Sequence, residues 1–311
     1  MNPFFFSGKI SSSKSLMNRA LITQSLNPDL QISGYSNCDD VVLMKKAVEE
    51  FPNHTEIECG DAGTVLRFMS VRASREKGYF RLKGSNRLFQ RPQGDLLFLL
   101  EQLQVKTELL PNELIIESEG WRKPIVPIRI HREKSSQFST GLLLSCWNLP
   151  FPIEFELTPV GLKDSYWNMS VQFVENLGMK IEKKAKDCFL VPAEQKVKVI
   201  SVEVEPDYSS VFAVAVAAAL LGEARIENVR VSSIQPDFGF IKILKNMKVP
   251  ILLEKSNLGI LKAPRISPID ISLSEMPDLF PVLAVLCAFA NGQSKISGAP
   301  RLVFKESNRI Q

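Results

Sequence analysis

Histidine is nearly absent. His54 and His131 are the only two in 311 residues, and neither has a metal-type partner nearby. A zinc centre is therefore not expected, and no other metal or cofactor is called for. The five cysteines (Cys38, Cys59, Cys146, Cys188 and Cys287) are scattered and form no C-x-x-C pair. They read as buried thiols of a reducing compartment. Long apolar runs are missing as well. The stretches 211–221 and 281–290 fall far short of the ~20 residues that span a bilayer and read as buried helices. The apolar start Met1-Asn2-Pro3-Phe4-Phe5-Phe6 lacks a basic opening and is too short for a signal segment. A cytoplasmic protein with no membrane partner is expected. There is no dense Lys/Arg block, and stacking aromatics do not interleave with the basic residues, which argues against a nucleic-acid partner. Net charge is +4, with 45% hydrophobic and 23% charged residues. That is a globular composition, long enough for two domains, whose mild basic balance suits small anionic substrates.

What the chain does have is a knot of cations and hydroxyls near its start. Ser13-Lys14-Ser15-Leu16-Met17-Asn18-Arg19 sets two cations five apart, with serines beside the first and the apolar run Ala20-Leu21-Ile22 behind. A helix is expected to start near Ser15. Serine at a helix start satisfies free backbone N–H groups, and the dipole there favours an anion. Lys14 and Arg19 would add formal charge at the same place.

Similar starts recur. They are Gly60-Asp61-Ala62-Gly63-Thr64, Ser135-Ser136-Gln137, Lys163-Asp164-Ser165-Tyr166, Asp207-Tyr208-Ser209-Ser210, Gln235-Pro236-Asp237 and Met276-Pro277-Asp278. Equivalent helix starts at Gly63, Ser135, Ser209 and Asp278 lie roughly 70 residues apart. That period exceeds solenoid repeats and predicts globular βαβαββ units, an α/β (α+β) fold. Gly78 is expected to end the helix begun at Gly63, and Val202-Glu203-Val204 to open the third unit. If the units share orientation, several helix N-termini converge on one anion-binding surface. Ser and Asp are also ordinary N-caps, which accounts for many such residues in any protein.

Three of these pieces, together with Gln90-Arg91-Pro92-Gln93-Gly94-Asp95-Leu96 and Lys305-Glu306-Ser307-Asn308-Arg309, resemble one family, the 5-enolpyruvylshikimate-3-phosphate (EPSP) synthases, or 3-phosphoshikimate 1-carboxyvinyltransferases. Ser13-Lys14-Ser15-x-x-Asn18-Arg19-Ala20 resembles S-K-S-x-x-N-R-A. Gly60-Asp61-Ala62-Gly63-Thr64-x-x-Arg67 resembles G-N-A-G-T-x-x-R. Arg91-Pro92 with Leu96, Ser135-Ser136-Gln137-Phe138 and Lys305-Glu306-Ser307-Asn308-Arg309 resemble x-R-P-[MI]-x-x-L, S-S-Q-[FY] and K-E-[ST]-D-R. The resemblance implies an enolpyruvyl transferase fold of inside-out α/β barrel type with two domains, residues 1–12 plus 205–311 and residues 13–204. Each would be built from three βαβαββ units, the last unit being incomplete. It implies a monomer that moves the carboxyvinyl group of phosphoenolpyruvate to the 5-hydroxyl of shikimate 3-phosphate and releases phosphate. These two small molecules would be its partners.

Residue by residue, the resemblance has Lys14, Ser15 and Arg19 hold shikimate 3-phosphate and Ser135 and Ser136 bind its phosphate. Gln137 would lie between the substrates, and Tyr166 would contact substrate. Gly63 and Arg91 would contact phosphoenolpyruvate, with Arg67 and Arg309 among the converging cations. Asp278 would be the base for the 5-hydroxyl, Glu306 would protonate the methylene carbon, and Lys305 would support it, with Lys14 also in the catalytic set. There are departures. Asp61 stands for the usual Asn, which would set a carboxylate near an anionic substrate. Lys163 replaces a substrate-binding Ser, and Asn308 replaces an Asp. The family continues past the position of Gln311 with an Asp-His-Arg stretch and a late Lys that contact phosphoenolpyruvate. Shikimate 3-phosphate is therefore expected to bind the better of the two, and the apolar helix near 279–290 to be partly uncovered. One alternative is a shikimate-3-phosphate-binding remnant without turnover. Another is UDP-N-acetylglucosamine enolpyruvyl transferase, which usually has a reactive Cys before its R-P motif. Asn86-Arg87-Leu88-Phe89-Gln90 holds none.

Overall fold

Two parallel strands bracketing a buried helix form the recurring element. In a computed structural model, which describes residues 3–305 and 307–310, the chain opens with β1 (Phe4–Gly8), α1 (Lys14–Gln24), β2 (Gln31–Ser33) and α2 (Asp39–Glu50). A unit follows from β3 (Glu56–Glu58), α3 (Gly63–Ser74), β4 (Lys77–Lys83), short α4 (Asn86–Gln90), α5 (Gly94–Gln102) and the hairpin β5 (Lys106–Leu109) and β6 (Glu113–Glu119). The next contains β7 (Ile128–His131), α6 (Gln137–Leu144), β8 (Ile153–Thr158), α7 (Ser165–Asn176), β9 (Glu182–Ala185) and β10 (Cys188–Val191). Then come β11 (Ser201–Glu203), α8 (Tyr208–Leu221), β12 (Gly222–Ile226), a 3-10 turn at Pro236–Gly239, α9 (Phe240–Asn246), β13 (Ile251–Glu254) and β14 (Asn257–Leu261). The chain continues through β15 (Asp270–Ser272), a 3-10 turn at Pro277–Leu279, α10 (Phe280–Ala288), β16 (Lys295–Ser297) and a turn at Pro300–Phe304.

Three sheets share one topology: β3-β4-β6-β5, β7-β8-β10-β9 and β1-β12-β14-β13. In each the first pair is parallel and the rest antiparallel. Two further parallel pairs, β11 with β2 and β15 with β16, stand alone among the described residues. Residues 51–55 run straight from α2 into β3 and leave no chain for a hairpin beside β2. The third unit's first strand is not 202–204 as expected. The N-terminal β1 fills that place beside β12, while β11 pairs with β2. The two crossing segments are tied together. Ser13 N–H donates to Glu205 O at 2.8 Å, Asp207 N–H to Ser11 O at 2.9 Å, and Ser12 Oγ to Val204 O at 3.1 Å.

The layering follows from the residue pattern. In α3, 11 of the 12 residues are buried, and Leu66, Phe68 and Met69 expose no surface. The buried residues include Arg67, Ser70, Arg72 and Ser74, whose polar groups are hydrogen-bonded, so the helix can be enclosed although it is not apolar all round. Its approach to α6 is close because Gly141 has no side chain: a Cβ there would lie 3.2 Å from Val71 Cγ2 and 3.4 Å from Arg67 O. The strands alternate instead. In β8, Ile153, Phe155 and Leu157 point in while Glu154 and Glu156 are half-buried, so the sheets form the outer layer. Each fully buried Leu or Phe contributes about 1.5–3 kcal/mol. Gly78 lies within β4, opposite Ser118, and does not end α3. The Phe80 ring covers it, and a Cβ would meet that ring at 2.8 Å.

The buried apolar side chains form two clusters. One draws on positions from Leu16 to Val204. The other draws on Tyr208 to Leu286, with Phe4, Phe6 and Ile10 packed against it. On α10 and just after it, Val285 and Phe289 are exposed. No helix among the described residues is long and apolar enough to cross a membrane.

The return of β1 to the second cluster is testable at Gly222. A Cβ there would sit 1.9 Å from Phe4 O. Gly222→Ala is expected to open the β1–β12 pair and lower stability by about 3 kcal/mol, read as a lower urea midpoint. An unchanged midpoint would contradict this strand pairing.

Candidate active site

Helix starts of the first cluster face two 3-10 turns of the second across an open cleft of ≈ 680 Å³. Ser13 Oγ caps α1 by accepting Leu16 N–H at 3.4 Å, and Asp164 caps α7 by accepting Trp167 N–H at 3.1 Å. One wall carries Ser15, Arg19, Thr64, Arg67 and Arg91. The loop before α6 adds Lys134, Ser135 and Ser136, and α6 adds Gln137. Tyr166 reaches in from α7, and the facing wall presents Asp278, Arg301 and Lys305. Convergent cations and hydroxyls in a concave cleft are what a small anionic ligand needs.

The cations are held rigidly. Arg19 is 4% exposed. It donates to Ser15 O at 2.7 Å, Ser170 Oγ at 3.0 Å and Tyr166 O at 3.4 Å. Burial lowers its pKa to about 10, opposed by Tyr166 and Asp164, so it stays cationic at neutral pH. Arg67, 3% exposed, donates to Gln137 Oε1 at 2.7 Å, Gln93 Oε1 at 3.2 Å, Pro92 O at 3.2 Å and Ser135 Oγ at 3.4 Å. Gln137 in turn donates to Thr64 Oγ1 at 2.8 Å. One guanidinium thereby fixes the start of α6 to α3. Gly63 makes room for Arg91, because a Cβ there would lie 2.5 Å from Arg91 Nη1 and 2.9 Å from its Cζ.

Across the cleft, the Tyr166 hydroxyl lies 3.0 and 3.1 Å from the two oxygens of Asp237 and 3.1 Å from Asp278 Oδ2. Asp278 also holds Lys305 Nζ at 3.1 Å and Arg309 Nη1 at 2.9 Å. Burial pushes the Asp278 carboxyl up, but Lys305 and Arg309 together outweigh it and hold it below the ordinary aspartate range. Asp237 goes the other way, raised by burial and by the neighbouring Asp278 charge. Burial, then the two carboxyls, pushes the Tyr166 phenol well above its ordinary value, so it is a proton donor. Ser165 also donates to Glu275 O, a further bond between the walls.

The structure thus brings together Ser15, Arg19, Arg67, Arg91, Ser135, Ser136, Gln137, Tyr166, Asp278 and Lys305, with Arg309 behind Asp278. Lys14 does not line the cleft, and its ammonium lies 3.7 Å from Asp40. Gly63 acts on the cleft through Arg91. Glu306 lies outside the described residues. Asp61 is turned from the cleft and accepts the Ser85 hydroxyl. Lys163 is exposed outside it, and Asn308 accepts Ile310 N–H at 3.2 Å in a local turn. Sequence reading left Asp237 without a role. The signal was there: Pro236-Asp237 and Pro277-Asp278 open equivalent turns in successive units.

Comparison with known proteins finds relatives along most of the chain. Residues 29–311 match the family model for EPSP synthase (3-phosphoshikimate 1-carboxyvinyltransferase). A 3-phosphoshikimate 1-carboxyvinyltransferase of Pyrococcus furiosus is 29% identical over 309 residues, covering 98% of this chain and 74% of that protein. One from Methanocaldococcus jannaschii is 33% identical over 263 residues, covering 82% of this chain and 60% of that protein. The chain therefore spans 60% to 74% of the length of these two relatives. In fold it is similar to an EPSP synthase from Acinetobacter baumannii, with a TM-score of 0.76 at 20% identity over 99% of this chain and 77% of that one. The enolpyruvyl transferase NikO from Streptomyces tendae gives 0.69 at 14% identity over 95% and 75%. With the family model matching most of its length, this chain belongs to the EPSP synthase family.

Proposed function

We propose that the protein transfers the carboxyvinyl group of phosphoenolpyruvate to the 5-hydroxyl of shikimate 3-phosphate, releasing phosphate. The observation that carries this reading is a cleft where Arg19, Arg67, Arg91 and Lys305 converge with a serine pair around the charged carboxylate Asp278. The substrates bring two phosphates and two carboxylates, and guanidinium forks suit both groups. The two core clusters support a division at the crossings, residues 1–12 with 205–311 against 13–204. Each part would supply one wall.

The chemistry needs a base at the hydroxyl and an acid at the methylene carbon. Asp278 takes the hydroxyl proton, with Tyr166 fixing one of its oxygens. The new C–O bond forms at the carbon that carries the phosphate ester, while Glu306 protonates the methylene. Loss of a methyl proton and of phosphate then restores the double bond. Ser135 and Ser136 take the phosphate of shikimate 3-phosphate, and Ser15 and Arg19 its remaining polar groups, with Lys14 left outside the cleft beside Asp40. Arg91 takes phosphoenolpyruvate, Gln137 lies between the two, and Lys305 and Arg309 complete the charged wall. The direct test is phosphate release with both substrates present. Neither release nor binding of shikimate 3-phosphate by folded protein would overturn the reading.

Asp278→Asn is expected to lower turnover about 10²–10⁴-fold, the usual worth of a positioned base, with shikimate 3-phosphate binding retained. Near-normal turnover would remove Asp278 as the base. Gly63→Ala is expected to displace the Arg91 guanidinium and weaken phosphoenolpyruvate about tenfold, the loss of roughly one charge-assisted bond, leaving shikimate 3-phosphate unaffected. Calorimetric titration of each substrate decides it. Asp237 gives a stability prediction. Its folded pKa is raised to about 8, so the folded state keeps a proton that the unfolded chain releases. Stability should therefore fall as pH rises from the ordinary aspartate range towards that value. Asp237→Asn keeps an acceptor for Tyr166 and should flatten this slope in urea unfolding followed across pH. An unaltered slope would show that Asp237 is ionised throughout.

A further inference from the structure

The three sheets of one topology each turn one face outward, but the outer faces differ in chemistry. On β3-β4-β6-β5, Lys77 pairs with Glu119, Arg81 with Glu113, Lys83 with Glu56 and Lys106 with Glu117. On β7-β8-β10-β9, Arg129 pairs with Glu156 and Lys184 with Glu182. The outer face of β1-β12-β14-β13 carries large apolar side chains instead. Phe5, Leu252 and Leu261 are 68%, 61% and 57% exposed there, around a shallow groove of ≈ 1120 Å³. Between them, β12 presents Glu223 and Arg225, both exposed. Among the described residues, neither of these side chains has an ion pair or a hydrogen bond. An apolar patch of this kind marks a surface that is covered by something else.

The register orders this face into two rows. Phe5, Glu223, Leu261 and Pro250 lie side by side in the first, and Ser7, Arg225, Gly259 and Leu252 in the second. We propose that a second copy of the chain docks here, sheet on sheet, about a twofold axis that crosses the strands between the two rows. Such an axis lays each row on the other row of the partner, and every contact is made twice. Phe5 then meets the partner's Ser7, Leu261 enters the notch over the partner's Gly259, Leu252 packs on the partner's Pro250, and Glu223 opposes the partner's Arg225. Large side chains meet small or flat ones and an anion meets a cation, so the face is complementary to itself. A purely apolar ligand would bury both charges unpaired. The notch is real: a Cβ on Gly259 would meet nothing nearer than Leu252 O at 3.8 Å. The dimer departs from the monomer that the family resemblance implies. It does not rest on the proposed function, because no residue of this face lines the cleft. Four short strands make a small footprint for a permanent dimer, so association is expected to depend on concentration in the micromolar range.

Sedimentation equilibrium of the purified chain, from low to high micromolar, reads the association directly. The mass is expected to rise from one chain to two. Gly259→Val fits the single chain, where the site is open, but fills the seat of the partner's Leu261. It should weaken dimerisation about tenfold or more without lowering the urea midpoint. Glu223→Arg sets like charges against each other across the axis and should weaken dimerisation to a similar degree, and adding Arg225→Glu to it should restore the original strength. The charge variants lie on exposed positions, so they keep the test open if the valine variant fails to fold. A chain that stays single at every concentration overturns the proposal. So does a dimer that neither Gly259→Val nor Glu223→Arg weakens, or a charge-swapped double variant no stronger than Glu223→Arg alone.

Discussion

Two carboxyls from one wall meet a single phenol from the other. Tyr166 sits at the start of α7, and Asp237 and Asp278 sit on equivalent turns of successive units. Two carboxylates so close to one hydroxyl do not both ionise cheaply. Lys305 and Arg309 break the symmetry by pairing with Asp278, which leaves the proton on Asp237. On the proposed reading this arrangement also answers a difficulty. A carboxylate held far down by two cations is a weak base. Anionic substrates compete for those same cations, so their arrival releases Asp278 from part of what holds it down and raises its proton affinity where a base is needed.

The repeat makes this convergence possible. In the two sheets β3-β4-β6-β5 and β7-β8-β10-β9 the helix after the first strand starts at the cleft, and the starts of α1 and α7 join them there, so residues far apart in sequence line one cleft. The strand exchange at the crossings extends this to the whole chain. β1 belongs with α8 and β12, and β11 with β2 beside α1, because the two connecting segments run side by side and bond to each other. Gly34, at φ +125°, lets the chain pass there, since a Cβ would meet Ser12 Oγ at 2.5 Å.

Much of this was legible in the residues. Serine and aspartate before apolar runs marked the starts of α1 and α7, where Ser13 and Asp164 do cap the backbone. The βαβαββ order could be read because hairpins such as β5–β6 and β13–β14 are local. The partner of β1 could not be read, because Phe4-Phe5-Phe6-Ser7-Gly8 suits any half-buried strand and only tertiary packing selects β12. Gly78 misled because glycine after a helix is ordinarily a C-cap, whereas here it is covered by an aromatic ring within a strand. Asp61 was expected near the substrate, but the hydroxyl that holds it, Ser85, lies on the N-cap of another helix. That contact links residues 24 apart and has no signature in either motif.

The buried arginines explain why such a site is costly in its empty state. Arg19 is almost wholly enclosed, and the acceptors of its described hydrogen bonds are neutral: two carbonyls and a hydroxyl. Neutral acceptors orient a guanidinium without cancelling its charge, so burial is only partly compensated, which is why its pKa falls. Arg301 is arranged differently, with a buried carboxylate behind it and an edge towards the cleft. A carboxylate partner for Arg19 in the same place would relieve the strain but would compete with every incoming anion. Arg19 is thus oriented by neutral acceptors while Arg301 on the facing wall is paired with a carboxylate. An anionic ligand beside Arg19 supplies a counter-charge that its neutral acceptors do not, so the burial that lowers its pKa in the empty cleft favours the filled one.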